Sequence, residues 1–226
     1  MGMNRFPITN IVGDLVDQHR DPDENLYASL ELNQVAFPKT GMVVSQTPLG
    51  PKFVKSGVNG CYGVCENGMW VVADKSKGVI DAPAATTDSP IGIVYTTEKE
   101  YDMMHYGLQR FGRKVAGDYP RVGLLGVGDT VTTNCLQYDD SVFEAVTTAG
   151  SEKTAEEVLL DALKAIDTTP LYVAIKAVGN NETAAANNAV PQIVKSAPQA
   201  GIYGKIVKFY TIPNGGLGVK YQIIRV

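Results

Sequence analysis

The chain has 226 residues, 44% of them apolar and 19% charged, which is enough for one large domain or two small ones with a proper core and argues against wholesale disorder. Twenty basic residues against 24 acidic ones give a net charge of −4, which argues against a general nucleic-acid coat and against a polybasic membrane anchor. No apolar run approaches the ~18–20 residues that a bilayer span needs, and the N-terminus carries no apolar leader core, so the sequence predicts a soluble protein made in the cytoplasm.

The first residues stand apart from the rest. Asp14, Asp17, Asp21, Asp23 and Glu24 surround Pro22 and His19-Arg20, with Ile11, Val12, Leu15 and Val16 as a small apolar group. Residues 1–36 therefore read as an extended arm, ordered only against a neighbour. The carboxylates do not form a calcium loop, because no alignment supplies both the glycine at the sixth position and the glutamate at the twelfth that an EF-hand requires.

The chain's 23 glycines and 12 prolines, scattered at short intervals with Val, Ile, Tyr and Thr between them, are the pattern of many short strands, and the strand signal takes over from residue 37. The fold class expected is mainly β, a barrel- or sandwich-like domain over residues 37–226. Residues 41–46 read as a strand closed by Thr47-Pro48-Leu49-Gly50-Pro51, whose prolines exclude a central strand there. Runs at 60–65 and 68–74 follow, with Asn67-Gly68 between them as a type I′ hairpin signal. Residues 75–90 read as a loop, 91–97 as a strand, and 122–133 as one or two more around Gly126 and Gly128.

One amphipathic helix interrupts the strands within an insertion at 151–168. Thr154-x-x-Glu157 is a capping box, and Leu159, Ala162, Leu163 and Ile166 follow at helical spacing, so a helix near 154–166 should pack one face on a sheet before Pro170 stops it. Residues 171–178 alternate as a strand, and 179–189 are polar and Ala-rich. Two long strands, 201–212 and 218–226, form a C-terminal hairpin around Pro213-Asn214-Gly215-Gly216. Val219, Tyr221 and Ile223 fall on one face of the last strand and Lys220 and Gln222 on the other.

Candidate chemistry is sparse. Gly126-Val-Gly-Asp-Thr130 is glycine-rich but lacks the Gly-Lys-Ser/Thr ending of a phosphate loop and precedes Val131-Thr-Thr rather than a helix, which favours a strand-to-strand turn. His105 with Asp102 and Cys135 would need spatial contact to make a nucleophile, and no local motif supports one. Cys61 and Cys65 are four apart, but with His19 and His105 as the chain's histidines they do not complete a zinc site, so the thiols read as reduced and structural, with Cys135 buried. Asn181-Glu182-Thr183 matches a glycosylation sequon that a protein without a leader does not expose to the modifying enzyme. No cofactor, metal or catalytic constellation is expected, and the chain does not read as an enzyme.

One stretch, residues 68–133, carries a resemblance. Met69-Trp-Val-Val-Ala-Asp74, the small-residue loop 75–89, then Pro90-Ile-Gly-Ile-Val-Tyr95, and later Arg121-Val-Gly-Leu-Leu-Gly126, resemble the core of the lambda-type capsid decoration (cement) proteins of tailed bacteriophages. In those proteins a strand ending in an Ala-Asp-like corner leads through a Gly/Asp/Thr-rich loop into a short strand, and a later strand closes a small β-barrel. The helix and the C-terminal hairpin have no counterpart in them.

The resemblance implies a structural virion protein on the outer surface of a phage capsid, made in the host cytoplasm, with the major capsid protein and further copies of itself, as a homotrimer or other homo-oligomer, for partners. It implies no nucleic-acid or membrane partner. On that reading Phe6, Ile8, Ile11, Val12, Leu15 and Val16 are the contact residues of the arm, which lies along a capsid protein or a neighbouring copy and adds a strand to a sheet edge. Two alternatives stand beside it. One is a collar, tail or head-fibre-base protein present in few copies. The other, from a different class, is a carbohydrate-binding module in which exposed aromatics such as Trp70, Tyr62 and Tyr119 stack on a sugar near Asp118.

Overall fold

The computed structural model describes residues 46–54, 65–74, 76–84, 90–95, 115–148, 150–175, 189–211 and 217–226, together with the backbone of three short strands before them. The chain is mainly β, as its glycine-punctuated pattern predicts, and among the described residues the strands form two sheets.

In chain order the strands are β1 (Met3–Arg5), β2 (Gln34–Ala36), β3 (Val43–Val44), β4 (Trp70–Asp74), β5 (Val79–Asp81), β6 (Ile91–Val94) and β7 (Val122–Leu124). They continue with β8 (Thr130–Thr133), β9 (Gln137–Asp139), β10 (Tyr172–Ala174), β11 (Gln192–Val194), β12 (Tyr203–Thr211) and β13 (Leu217–Arg225). The helix α1 (Ala155–Lys164) lies between β9 and β10. One sheet has eight strands in the order β1-β9-β11-β10-β12-β13-β8-β2, and the other has five in the order β3-β7-β6-β4-β5.

The residues named in the resemblance make the heart of the five-stranded sheet. β4 pairs antiparallel with β6 and β6 with β7, in the registers Trp70↔Ile93 and Ile93↔Gly123. The sheet is open and packs against the larger one. One expectation for this region needs correction: the 75–90 loop contains a strand, because the Asp74 side chain nucleates a tight turn that folds β5 back onto β4. Its Oδ1 accepts from the Ser76 N–H at 3.0 Å, the Ser76 hydroxyl at 2.5 Å and the Lys77 N–H at 3.2 Å, and Gly78 supplies the positive φ of 65° that ends the turn. At Asn67-Gly68 the Met69 N–H donates to the Glu66 carbonyl at 3.3 Å, closing a turn; the upstream strand of that expected hairpin lies outside the described residues.

Alternation gives the five-stranded sheet two buried faces. Trp70, Val72, Ile91 and Ile93 point toward the large sheet, where they meet Val131, Val219, Tyr221 and Ile223 in the main core. Met69, Val71, Ile80, Val94 and Val122 point the other way, into a second core with Leu49, Phe53, Cys65, Cys135 and Val190. The open edge of β5 is covered by the segment at Pro48, whose carbonyl accepts the Ile80 N–H at 2.8 Å while Gly50 N–H donates to the Ile80 carbonyl at 2.8 Å.

The C-terminal hairpin and the helix form as their patterns predict. β12 and β13 pair over nearly their whole length, with Val219, Tyr221 and Ile223 fully buried and Lys220 and Gln222 on the opposite face; the turn itself lies outside the described residues. At the helix start Glu157 N–H donates to Thr154 Oγ1 at 3.2 Å and Thr154 N–H to Glu157 Oε2 at 2.8 Å, a reciprocal capping box. Leu159 and Leu163 seal the helix onto the core with no exposure, and no helix among the described residues is long and apolar enough to cross a membrane.

Candidate functional site

The six arm residues, Phe6, Ile8, Ile11, Val12, Leu15 and Val16, lie outside the described residues, as do His105, Cys61 and Tyr62. The two ends of the arm do not. β1 pairs antiparallel with β9, and β2 pairs antiparallel with β8, so the N-terminal segment begins at one edge of the eight-stranded sheet and rejoins it at the opposite edge.

The glycine-rich 126–130 segment is a turn that carries the chain from one sheet to the other. Asp129 N–H donates to the Gly126 carbonyl at 3.1 Å, its Oδ2 accepts from the Gly126 N–H at 2.7 Å, and Gly128 sits at φ 97°. The Gly128 N–H and Asp129 carbonyl then tie the turn to both sides of Ile223 on β13, at 2.9 and 2.8 Å. The amides of Gly126, Gly128 and Asp129 are used within the protein, and the turn joins β7 to β8 rather than leading into a helix.

The aromatic platform expected at Trp70 is a correction. The indole is 1% exposed because β4 turns it into the core, and its Nε1–H donates at 2.9 Å to the hydroxyl of Tyr221, itself fully buried on the opposing sheet. The two rings meet edge to face with centroids 6.0 Å apart. Burial pushes the Tyr221 hydroxyl far above its ordinary pKa, with the Cys135 thiol adding to the rise and the Trp70 hydrogen bond opposing it. Tyr119 is exposed, but the carboxylate of Asp118 beside it closes a turn by accepting from the Val115 N–H at 2.9 Å. Cys65 and Cys135 are buried and form no disulfide with each other. Among the described residues no cluster of three or more His, Cys, Asp or Glu side chains could hold a metal ion.

Among the described residues, the outer face of β10, β12 and β13 presents a cluster of cations and aromatic rings to solvent. Strand register places Tyr172 beside Lys205, Lys205 beside Gln222, Lys208 beside Lys220 and Tyr203 beside Arg225. Tyr172 and Tyr203 meet edge to face at 5.9 Å, the Arg225 guanidinium lies 4.8 Å over the Tyr203 ring, and the Lys208 ammonium lies 4.9 Å over Tyr210. Arg225 is anchored there by donating to the Gly201, Gln199 and Pro198 carbonyls at 2.8, 3.2 and 2.9 Å. A bulge between Ile206 and Lys208 turns Val207 outward, 45% exposed. Net charge conceals this face. The signal that reveals it is regional: residues 168–226 carry Lys176, Lys195, Lys205, Lys208, Lys220 and Arg225 against Glu182 alone.

No protein-family model, curated protein or solved structure matches the chain.

Proposed function

We propose that this protein is a structural component of a virion that binds the outer surface of a phage capsid and stabilises the shell across capsomer joints. What supports the reading is that the three segments carrying the resemblance to decoration proteins, although separated in sequence by long connections, are three hydrogen-bonded neighbours, β4, β6 and β7, in one sheet. A thin shell under internal pressure fails at its joints, and a protein that binds only the assembled joint stabilises it by its binding free energy. Weak contacts repeated over a lattice suffice, and a homotrimer would multiply them further.

In this mechanism the sheets supply a rigid base and the arm supplies the contact. Phe6, Ile8, Ile11, Val12, Leu15 and Val16 dock on a capsid protein or a neighbouring copy between the fixed points at Arg5 and Gln34. The decisive measurement is the copy number of the protein in purified particles, by quantitative mass spectrometry against the major capsid protein. A simple lattice fraction supports decoration, a handful of copies moves the protein to the collar or tail, and absence from particles overturns the reading. Replacing the six arm residues by serine, with β1 and β2 left intact, should abolish binding to capsids without changing the thermal midpoint; unchanged binding refutes the arm's role.

A further inference from the structure

The outer face of the eight-stranded sheet carries a charge pattern that its own strands leave unanswered. Lys208 and Lys220 are directly opposed across the β12–β13 pair, and like charges in that position repel. Lys205 and Arg225 lie on the same face, and β10, β12 and β13 contain no acidic residue. Among the described residues no carboxylate forms an ion pair with any of these four cations. Such a face is suited to an anionic occupant.

The chain itself holds a matching one. Residues 14–24 contain Asp14, Asp17, Asp21, Asp23 and Glu24 against Arg20. Their tether is fixed at both ends, at Arg5 on one edge strand and Gln34 on the other. These edges are seven strand spacings apart, about 34 Å along the sheet at ~4.8 Å per spacing. The intervening residues 6–33 reach about 90 Å when extended, so the connection has ample slack. The opposite face of the sheet is filled by Trp70, Val72, Ile91 and Ile93 of the smaller sheet and by Leu159 and Leu163 of α1, and among the described residues Lys205 and Lys208 on the outer face are exposed.

We propose that the outer face of β10, β12 and β13 docks the acidic stretch 14–24 of the same chain, with Lys205, Lys208, Lys220 and Arg225 opposite its carboxylates. The half-buried rings of Tyr172, Tyr203 and Tyr210 supply flat, stiff contact area between the cations. Each exposed pair contributes little alone, but a segment held at both ends is present at an effective concentration in the millimolar range, so several weak pairs suffice. Because the charges are solvent-facing, docking weakens as salt shortens the screening length from about 10 Å at 0.1 M to about 3 Å at 1 M.

The test is zero-length carbodiimide cross-linking of the full-length protein at low salt, in an equal mixture of isotopically light and heavy chains. The expected products join Lys205, Lys208 or Lys220 to the acidic residues of 14–24 within chains of one isotope. Their yield should fall at least fivefold in 1 M salt and in the variant K208E/K220E, with the fold of that variant checked by the fluorescence of Trp70. Combining K208E/K220E with D14K/D17K/D21K should restore the cross-links with the polarity exchanged. No such cross-links, an unchanged yield in K208E/K220E, or links solely between light and heavy chains would overturn the proposal, the last by making a second copy the occupant. These readouts use the isolated protein, so their failure leaves the capsid reading standing, and absence from particles leaves this one standing.

Discussion

Removing the Tyr221 hydroxyl tests whether the two sheets are joined by a polar link as well as by packing. In Tyr221→Phe the ring stays in place, 6.0 Å from Trp70, and the only loss is the acceptor 2.9 Å from the indole N–H. Trp70 is 1% exposed and Tyr221 0%, so water cannot replace the hydroxyl without opening the sandwich. An orphaned buried donor costs about 1–3 kcal/mol, so the central expectation is a loss of about 2 kcal/mol. In a chain of 226 residues that corresponds to a thermal midpoint lower by about 4–8 °C. Urea titration followed by fluorescence is the natural assay, because Trp70 is the chain's single tryptophan and reports from the link itself. The cycle with Trp70→Phe, read by far-UV circular dichroism in all four proteins because that substitution removes the chain's single tryptophan, isolates the bond: Tyr221→Phe should cost at least about 1 kcal/mol less where the indole is already gone. An equal cost in both backgrounds, or a cost below about 0.5 kcal/mol in the native one, would refute the hydrogen bond as a stabilising link between the sheets.

Gly204→Ala should destabilise by about 1–3 kcal/mol, read as a lower urea midpoint, because a Cβ there would sit 2.8 Å from the Tyr221 ring and 3.0 Å from the Gln222 carbonyl. Thr154→Ala should remove one half of the capping box and cost about 1 kcal/mol, with the loss visible in the same titration and the sheet's spectrum unchanged. The Asp74 carboxyl is held below the usual carboxylate range, first by the Ser76 hydroxyl and then by Lys77. Its folded pKa is depressed, so its stabilisation is present above the ordinary value of 3.8 and is lost as pH falls below it; Asp74→Asn should flatten the acid limb of a midpoint-versus-pH curve. Burial, with Glu156 and Asp140 nearby, pushes the Tyr138 hydroxyl up to about 12 from 10.0. A raised folded pKa gives stability that is intact below 10.0 and lost as pH rises toward 12, so Tyr138→Phe should reduce the alkaline fall in the urea midpoint.

What the sequence made legible was what local chemistry decides. The capping box at Thr154 and Glu157 is a contact three residues long, and it forms in the expected place. The alternation through Val219, Tyr221 and Ile223 is long enough to fix which face of β13 is buried, whatever its neighbours are. Strands β9 and β11, of three residues each, were not legible because their pattern is too short to signal; they are strands through partners supplied elsewhere, as when Gln192 of β11 meets Gln137 of β9 in parallel. Trp70 shows the same limit for a site. The carbohydrate-binding alternative took Trp70 as an exposed aromatic, whereas it is buried and its hydrogen-bond partner lies 151 positions away. Nothing local to residue 70 carries that information. The basic face was in principle readable from the regional charge of residues 168–226, but the whole-chain value of −4 averages it away.

That averaging matters for how partners are inferred. A charge acts over a screening length of about 8 Å at physiological salt, far less than the extent of a 226-residue domain, so recognition responds to the local arrangement rather than to the sum. In this protein the local arrangement is asymmetric. The five-stranded sheet is packed on both faces, while the eight-stranded sheet turns Lys205, Lys208, Lys220 and Arg225 outward on strands that contain no carboxylate. On the proposed readings, surface matching falls to the larger sheet and to the segment joined to both of its edges, and the two differ in chemistry. The apolar residues between Phe6 and Val16 suit a hydrophobic groove on a partner, whereas the carboxylates from Asp14 to Glu24 suit a cationic surface. The two proposals are compatible in one arm because its apolar and acidic halves overlap only at residues 14–16. Engagement of the acidic half on the sheet would set where the apolar half leaves it.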